Sequence, residues 1–176
     1  MKKPIAIIAG EPNSISSEII FKSWNLKNKY NFPPLLIIGS VDLLNLQKKK
    51  LKYNFKIKEI NHDFSLSDLK TNELPVLNVN YYQKKPFEKL SNKSKKYIFS
   101  TFNIALDLIK KNKVCGLINC PVSKEKLFDY KNQGVTEFLS KKSKRSGNEV
   151  MLIYNKKLSV SPITTHIPIS QINKKI

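Results

Sequence analysis

Short β-branched runs that stop at glycine, each followed by a stretch with helical period, are the pattern that most limits what this chain can become. "PIAIIAG" at 4–10 and "PLLIIG" at 34–39 both read as buried strands ending in Gly. After the first, Ser14 is placed to cap a helix running to about Asn25, with Ile15, Ile19, Phe21 and Trp24 as its apolar positions. After the second, "VDLLNLQKKK" reads as a helix. "NFKIKEI" alternates like a half-exposed strand, and "LPVLNV" at 74–79 is a further short strand. The strongest helix spans about Asn92 to Lys111, because Ile98, Phe102, Ala105 and Ile109 recur at i, i+4, i+7 and i+11. "KVCGLINCPV" is then expected as the next buried strand, and "EVMLIYNKKLSVSPITT" as two strands around an Asn155-Lys156 turn. Strands alternating with helices predict an α/β fold. The terminal hairpin breaks the alternation, so the expectation is a mixed sheet flanked by helices, with residues 1–176 forming one unit.

Composition narrows the function classes. The chain has 32 Lys and Arg against 13 Asp and Glu, a formal net charge of +19, which draws phosphates, nucleic acid or anionic lipid by long-range fields. The lysines are spread in short runs such as "LQKKKLKY" and "SKKSKR" and are not gathered in one arm, and no zinc-finger spacing or RNA-binding signature accompanies them. A solvated basic surface therefore ranks ahead of a nucleic-acid site. Cys115 and Cys120 are too few and too close for a disulfide framework or a metal box, which fits a reducing cytoplasm. Gly10-Glu11-Pro12 cuts off the first apolar run before it could serve as a signal-peptide core, and no apolar stretch reaches the roughly 20 residues of a membrane-spanning helix.

Four segments carry candidate chemistry. "GEPNSISSEI" leaves a strand and enters a helix, where α/β sheets commonly bind ligands and a helix N-terminus offers N–H groups to an anion, although GxGxxG and GxxxxGK[ST] are both missing. In "INCPVSKEKLFDY", Ser123 and Lys124 stand at a strand's carboxyl end, where hydroxyl, ammonium and backbone N–H groups can hold a phosphate or carboxylate. The competing reading makes Ser123 a helix cap and Lys124 one more surface lysine. In "QGVTEFLSKK", Thr136 and Glu137 are candidate substrate contacts, but an N-cap with an acidic first turn explains both without function and ranks ahead. In "TTHIPIS", His166 sits at a strand's end before a Pro-containing loop. It is a candidate ligand for a transition metal, but one histidine makes no site, and His62 in "EINHDF" has no metal spacing to it.

Together, in order and with comparable spacing, these segments resemble the 4-hydroxythreonine-4-phosphate dehydrogenase family of vitamin B6 synthesis. That family shows GEPAGIGPE after a strand, then a TGPVHK or TAPINK loop, then GHTEFL, then TTHLPL. The counterparts here are Gly10 to Glu18, Asn119 to Lys124, Gly134 to Leu139 and Thr164 to Ile169. The resemblance implies an isocitrate/isopropylmalate dehydrogenase-like fold of two α/β lobes and a homodimer with its site between lobes. It also implies oxidation with decarboxylation of a phosphorylated hydroxy amino acid by NAD or NADP, assisted by a divalent metal (Zn, Mg or Co) held by three histidines. By the same resemblance His166 is the first of those ligands, and the positions of Val135 and Thr136 contact substrate. Three departures stand out. Val135 replaces the family's histidine, and Ser14 and Ser16 replace glycines. The C-terminal half of the family fold, with the other two metal histidines, has no counterpart, so the chain is expected to be inactive alone, working with a homodimer mate or a separate C-terminal half.

Overall fold

The computed structural model describes residues 3–128, 134–144, 149–164 and 167–174. They pack as two compact units, Met1–Asp129 and Tyr130–Ile176. The first unit runs β1 (Ile5–Ile8), α1 (Ser16–Asn25), α2 (Lys27–Tyr30), β2 (Leu35–Gly39), α3 (Val41–Lys50), β3 (Ile57–Ile60), α4 (Leu66–Leu69), β4 (Leu74–Asn78), α5 (Asn92–Lys110), β5 (Gly116–Asn119) and α6 (Lys124–Phe128).

Its five strands form one sheet in the order β3-β4-β2-β1-β5, and every pairing is parallel. Parallel neighbours need crossovers, which the intervening helices supply. β2 lies at the centre, and all five of its residues are buried. One face of the sheet carries Ile7, Ala9, Leu35, Ile37 and Val76 and packs against Ile20, Phe21 and Trp24 of α1 and Leu44 of α3. The Phe21 ring meets Tyr53 and Phe55 at centroid distances of 5.4 and 5.3 Å, an edge-on cluster that closes this layer. On the opposite face α5 lies over β1 and β2, with Ile98, Phe102 and Ala105 buried as their spacing predicted. Phe21 and Phe102 are fully enclosed, each contributing about 2–3 kcal/mol by removal from water. Ser40 caps α3 by accepting the Leu43 N–H, and Ser91 caps α5 by accepting that of Ser94.

The second unit holds α7 (Val135–Lys142), a hairpin of β6 (Ile153–Tyr154) and β7 (Ser159–Val160), and a 3₁₀ turn at Ile169–Lys174. The hairpin turns at Asn155-Lys156 as expected, with the Asn155 N–H donated to the Leu158 carbonyl at 2.9 Å.

Three expectations are corrected. Among the described residues the five-stranded sheet is parallel and not mixed, and β6 and β7 form a two-stranded sheet of their own. β5 is not a buried strand: it is an edge, with Gly116 and Leu117 half-buried and Ile118 and Asn119 exposed. Helix α1 starts at Ser16, not after a Ser14 cap, and it turns Ile20, Phe21 and Trp24 inward while Ile15 and Ile19 stay 61 % and 41 % exposed.

Candidate functional site

The carboxyl ends of β1 and β5 lie side by side, and two of the segments singled out in the sequence leave from them. Gly10 exits β1 at φ +74°, and a Cβ there would come within 2.7 Å of Ser16 Oγ, 2.9 Å of Cys120 Cβ and 3.0 Å of the Pro121 carbonyl. Only glycine meets both demands, the left-handed backbone and the close approach. The Glu11 N–H then donates to the Pro121 carbonyl at 3.2 Å, and the Glu11 carboxylate, 8 % exposed, accepts the Ser123 N–H at 2.9 Å. Ser16 Oγ donates to the same Pro121 carbonyl, while Ser14 Oγ donates to the Glu11 carbonyl at 2.8 Å and accepts the Ser16 N–H. Burial of Cys120 at the end of β5 pushes its thiol up to about 11.

This geometry alters the chemical reading of both loops. The hydroxyls of Ser14 and Ser16 are bonded to protein atoms, and the anion held by the Ser123 N–H is the chain's own Glu11 carboxylate. The missing side chain at Gly10 makes room for the neighbouring loop. As described, the pair is a seam joining two strand exits, and its residues do not form a cradle for a dinucleotide pyrophosphate.

A second network lies around the exit of β2. Ser40 donates its N–H to the Tyr97 hydroxyl at 3.0 Å and its hydroxyl to the Tyr81 carbonyl at 2.7 Å. Tyr97 is enclosed, and burial raises its phenol above the ordinary value. Gln47, buried on α3, donates to the carbonyls of Pro12 and Pro86 at 2.8 and 2.9 Å, and Gln83 also donates to Pro86 at 3.0 Å. One glutamine thus ties the loop after β1 to the turn before α5. Sequence reasoning passed over Glu11, Gln47, Gln83 and Tyr97. The signal at Gln47 was its place one helical turn after Leu43, on the face that α3 buries.

Lys124 is exposed as the first residue of α6, and Ser123 behaves as a cap, its hydroxyl accepting the Lys126 N–H at 3.4 Å. Val135 is half-buried and Thr136 exposed in the first turn of α7. The cap there is Gly134 and not Thr136, because the Glu137 carboxylate reaches back to accept the Gly134 N–H at 2.7 Å. Lys124 therefore belongs to the first unit, and Val135 and Thr136 to the second. His166 lies outside the described residues. Among the described residues no group of three or more His, Cys, Asp or Glu side chains is placed to hold a metal. Among them, too, no helix is long and apolar enough to cross a membrane.

Comparison with known proteins adds what the geometry leaves open. The family model described as "Pyridoxal phosphate biosynthetic protein PdxA" matches residues 31–176. A 4-hydroxythreonine-4-phosphate dehydrogenase of Sulfurihydrogenibium is 30 % identical over 174 residues, covering 98 % of this chain and 52 % of the relative. One from Methylorubrum populi is 25 % identical over 178 residues, covering 97 % of this chain and 51 % of its own length. A crystal structure of the enzyme of that name from Burkholderia phymatum superposes with a TM-score of 0.85 at 22 % identity, over 100 % of this chain and 54 % of that one, a likeness of fold. The chain spans about half the length of the curated relatives it matches. With a family model covering residues 31–176, most of its length, the chain belongs to the family of pyridoxal phosphate biosynthetic protein PdxA.

Proposed function

We propose that this chain supplies one half of an oxidoreductase acting on 4-phosphohydroxy-L-threonine in pyridoxal phosphate synthesis, with NAD or NADP as hydride acceptor. The observation that carries this reading is the family match over residues 31–176. The shared name of the relatives supports a dehydrogenase in particular. The isocitrate/isopropylmalate dehydrogenase-like two-lobed arrangement, the homodimer and the cytoplasmic setting belong to the same proposal.

Thr136, the position of Val135, and Lys124 are the proposed substrate contacts. His166 is the ligand this chain offers to a divalent metal, which when bound would polarise the reacting oxygen. No three His, Cys, Asp or Glu side chains are grouped among the described residues, so the remaining ligands are proposed to come from outside them. Val135 removes a titratable donor that the family motif carries, so a related phosphorylated hydroxy acid such as a 4-phosphoerythronate-type compound is the second substrate to test.

The test follows reduced-nicotinamide absorbance with 4-phosphohydroxy-L-threonine, NAD or NADP, and Mg, Zn or Co in turn. The expected result is no turnover by the 176-residue chain alone, turnover when the complementary half of a relative is added, and loss of that turnover in His166→Ala. Turnover by the chain alone, or undiminished turnover in His166→Ala, overturns the corresponding part. Val135→His is expected to shift preference toward the amino-acid substrate.

A further inference from the structure

At the amino ends of β2 and β4, the opposite end of the sheet from the seam at Gly10 and Cys120, lies a cavity of about 440 Å³. Every residue lining it belongs to the first unit, among them Trp24, Lys27, Phe32, Pro34, Leu69 and Thr71. Its volume falls within the roughly 300–1,000 Å³ of small-molecule sites. The walls are set before any ligand arrives. Trp24, Leu35 and Leu69 are buried, and the consecutive rings of Pro33 and Pro34 fix the backbone at the entry to β2.

Two features of the wall select what can enter, and the first is charge. Lys27 is half-buried, its ammonium 3.7 Å from the centre of the Trp24 ring, and it donates to the Thr71 carbonyl at 2.7 Å. Lys70 adds a second cation, no Asp or Glu lines the cavity, and no carboxylate pairs with Lys27 among the described residues. Burial holds the Lys27 ammonium below its ordinary value, as expected of a cation with neutral partners only. The bond to Thr71 uses one of its three N–H groups, and an anion can take another. The second feature is shape. Phe32, 39 % exposed, stacks on Tyr30 at 5.9 Å with 13° between the rings, and it brings that flat aromatic surface to the cavity.

We propose that this cavity binds a small aromatic anion, an aryl carboxylate or aryl phosphate, with its charge against Lys27 and Lys70 and its ring among Trp24, Phe32 and Leu69. A neutral ring leaves the half-buried ammonium with neutral partners, and a bare anion leaves the aromatic wall in water, so a ligand carrying both is favoured over either. No residue of the four family motifs takes part, and failure of this inference leaves the dehydrogenase reading as it stands.

Trp24 is the only tryptophan of the chain, so its fluorescence reports on this cavity directly. The experiment titrates the purified 176-residue chain with phenyl phosphate and with benzoate, and in parallel with inorganic phosphate, acetate and benzyl alcohol, following Trp24 fluorescence and two-dimensional amide spectra. The expected result is a saturable change with at least one aromatic anion, half-complete at a concentration at least about tenfold below that for the bare anions or the neutral ring. The shifted amides should fall within 24–35 and 69–73. Lys27→Met should weaken binding at least about tenfold. Because Lys27 also holds the Thr71 carbonyl, circular dichroism checks the fold. Lys70→Met, at an exposed side chain, should weaken binding about threefold with the melting temperature unchanged. Lys93→Met, exposed on α5 across the sheet, should change nothing. The tighter of the two aromatic anions names the head group.

No saturable change with either aromatic anion up to about 10 mM overturns the site. Inorganic phosphate binding as tightly as phenyl phosphate, or a loss in Lys93→Met equal to that in Lys27→Met, overturns it in favour of general attraction to a chain of net charge +19. Benzyl alcohol binding as tightly as the anions and indifferent to Lys27→Met overturns the anionic class. Amide shifts confined to other segments overturn the placement.

Discussion

The two edges of the five-stranded sheet are built differently. β3 alternates, half in water, with Lys58 and Glu59 along its edge and an ion pair to α4. β5 is bare along its flank, yet its exit is held by the Glu11 carboxylate, the Pro121 carbonyl and the close packing of Gly10 against Cys120. An edge meant for solvent is protected by charge along its length. The β5 edge is uncharged along its length and held at its exit. The contrast teaches that exposure of apolar side chains has opposite meanings depending on how rigidly the backbone beneath them is fixed.

The sharpest way to break the comparison is at the fixed end of β5. Gly10→Ala forces a Cβ into Ser16, Cys120 and Pro121 at a positive φ, and a loss of about 3 kcal/mol is expected in urea unfolding. Gly116→Ala at the other end of the strand meets nothing within 4 Å, so it should leave the midpoint unchanged or slightly raised.

Next come the cysteines that flank the strand. Cys115 is exposed, whereas burial holds the Cys120 thiol at about 11 against an ordinary 9.0. Alkylation of the native chain at mildly alkaline pH should be at least about a hundredfold slower at Cys120. Equal rates would show that the exit opens. The sign of the linked stability follows: the folded state keeps the proton, so the contribution of Cys120 is full below pH 9.0 and is lost as pH rises toward about 11. Cys120→Ala should flatten that part of the alkaline unfolding profile.

Glu11→Ala leaves the Ser123 N–H without its charged acceptor, with an expected cost of about 2 kcal/mol, and Glu11→Gln should recover part of it. The smallest effects on stability belong to the flanks. Ile118→Lys should lie within about 0.5 kcal/mol of the parent. Lys58→Ile should also melt like the parent, yet self-associate more as concentration rises, which light scattering reads directly.

The strand–glycine–helix pattern made most of the first unit legible, and α5 could be placed almost residue by residue from Ile98, Phe102 and Ala105. Misreadings fell where apolar side chains are not buried. Ile15, Ile19 and Ile118 were taken for core because hydrophobic period marks an apolar position and does not show whether anything covers it. The start of α1 was missed because the Ser14 hydroxyl turns back to the Glu11 carbonyl. At α7 the cap fell to Gly134, where an N3 glutamate does the work expected of Thr136.

At the candidate site, Glu11 and Gln47 are polar groups that only tertiary contacts justify, so no period announces them. The family was legible from the order and spacing of the motifs, and the match over residues 31–176 bears the family out. Lys124, Thr136 and His166 were candidates from their local setting, whereas the substrate role at the position of Val135 and the place of His166 in a metal site came through the resemblance.

The strand order also sets a sequence of events during synthesis. β1 pairs with β2 soon after it is made, but its other side must wait for β5, so that Ile5 meets Gly116 only when most of this unit has left the ribosome. Closing so distant a contact is slow, and until it closes the unprotected strand is β1 itself. Completion of β5 therefore relieves the nascent chain of one adhesive flank only by presenting another one strand further out.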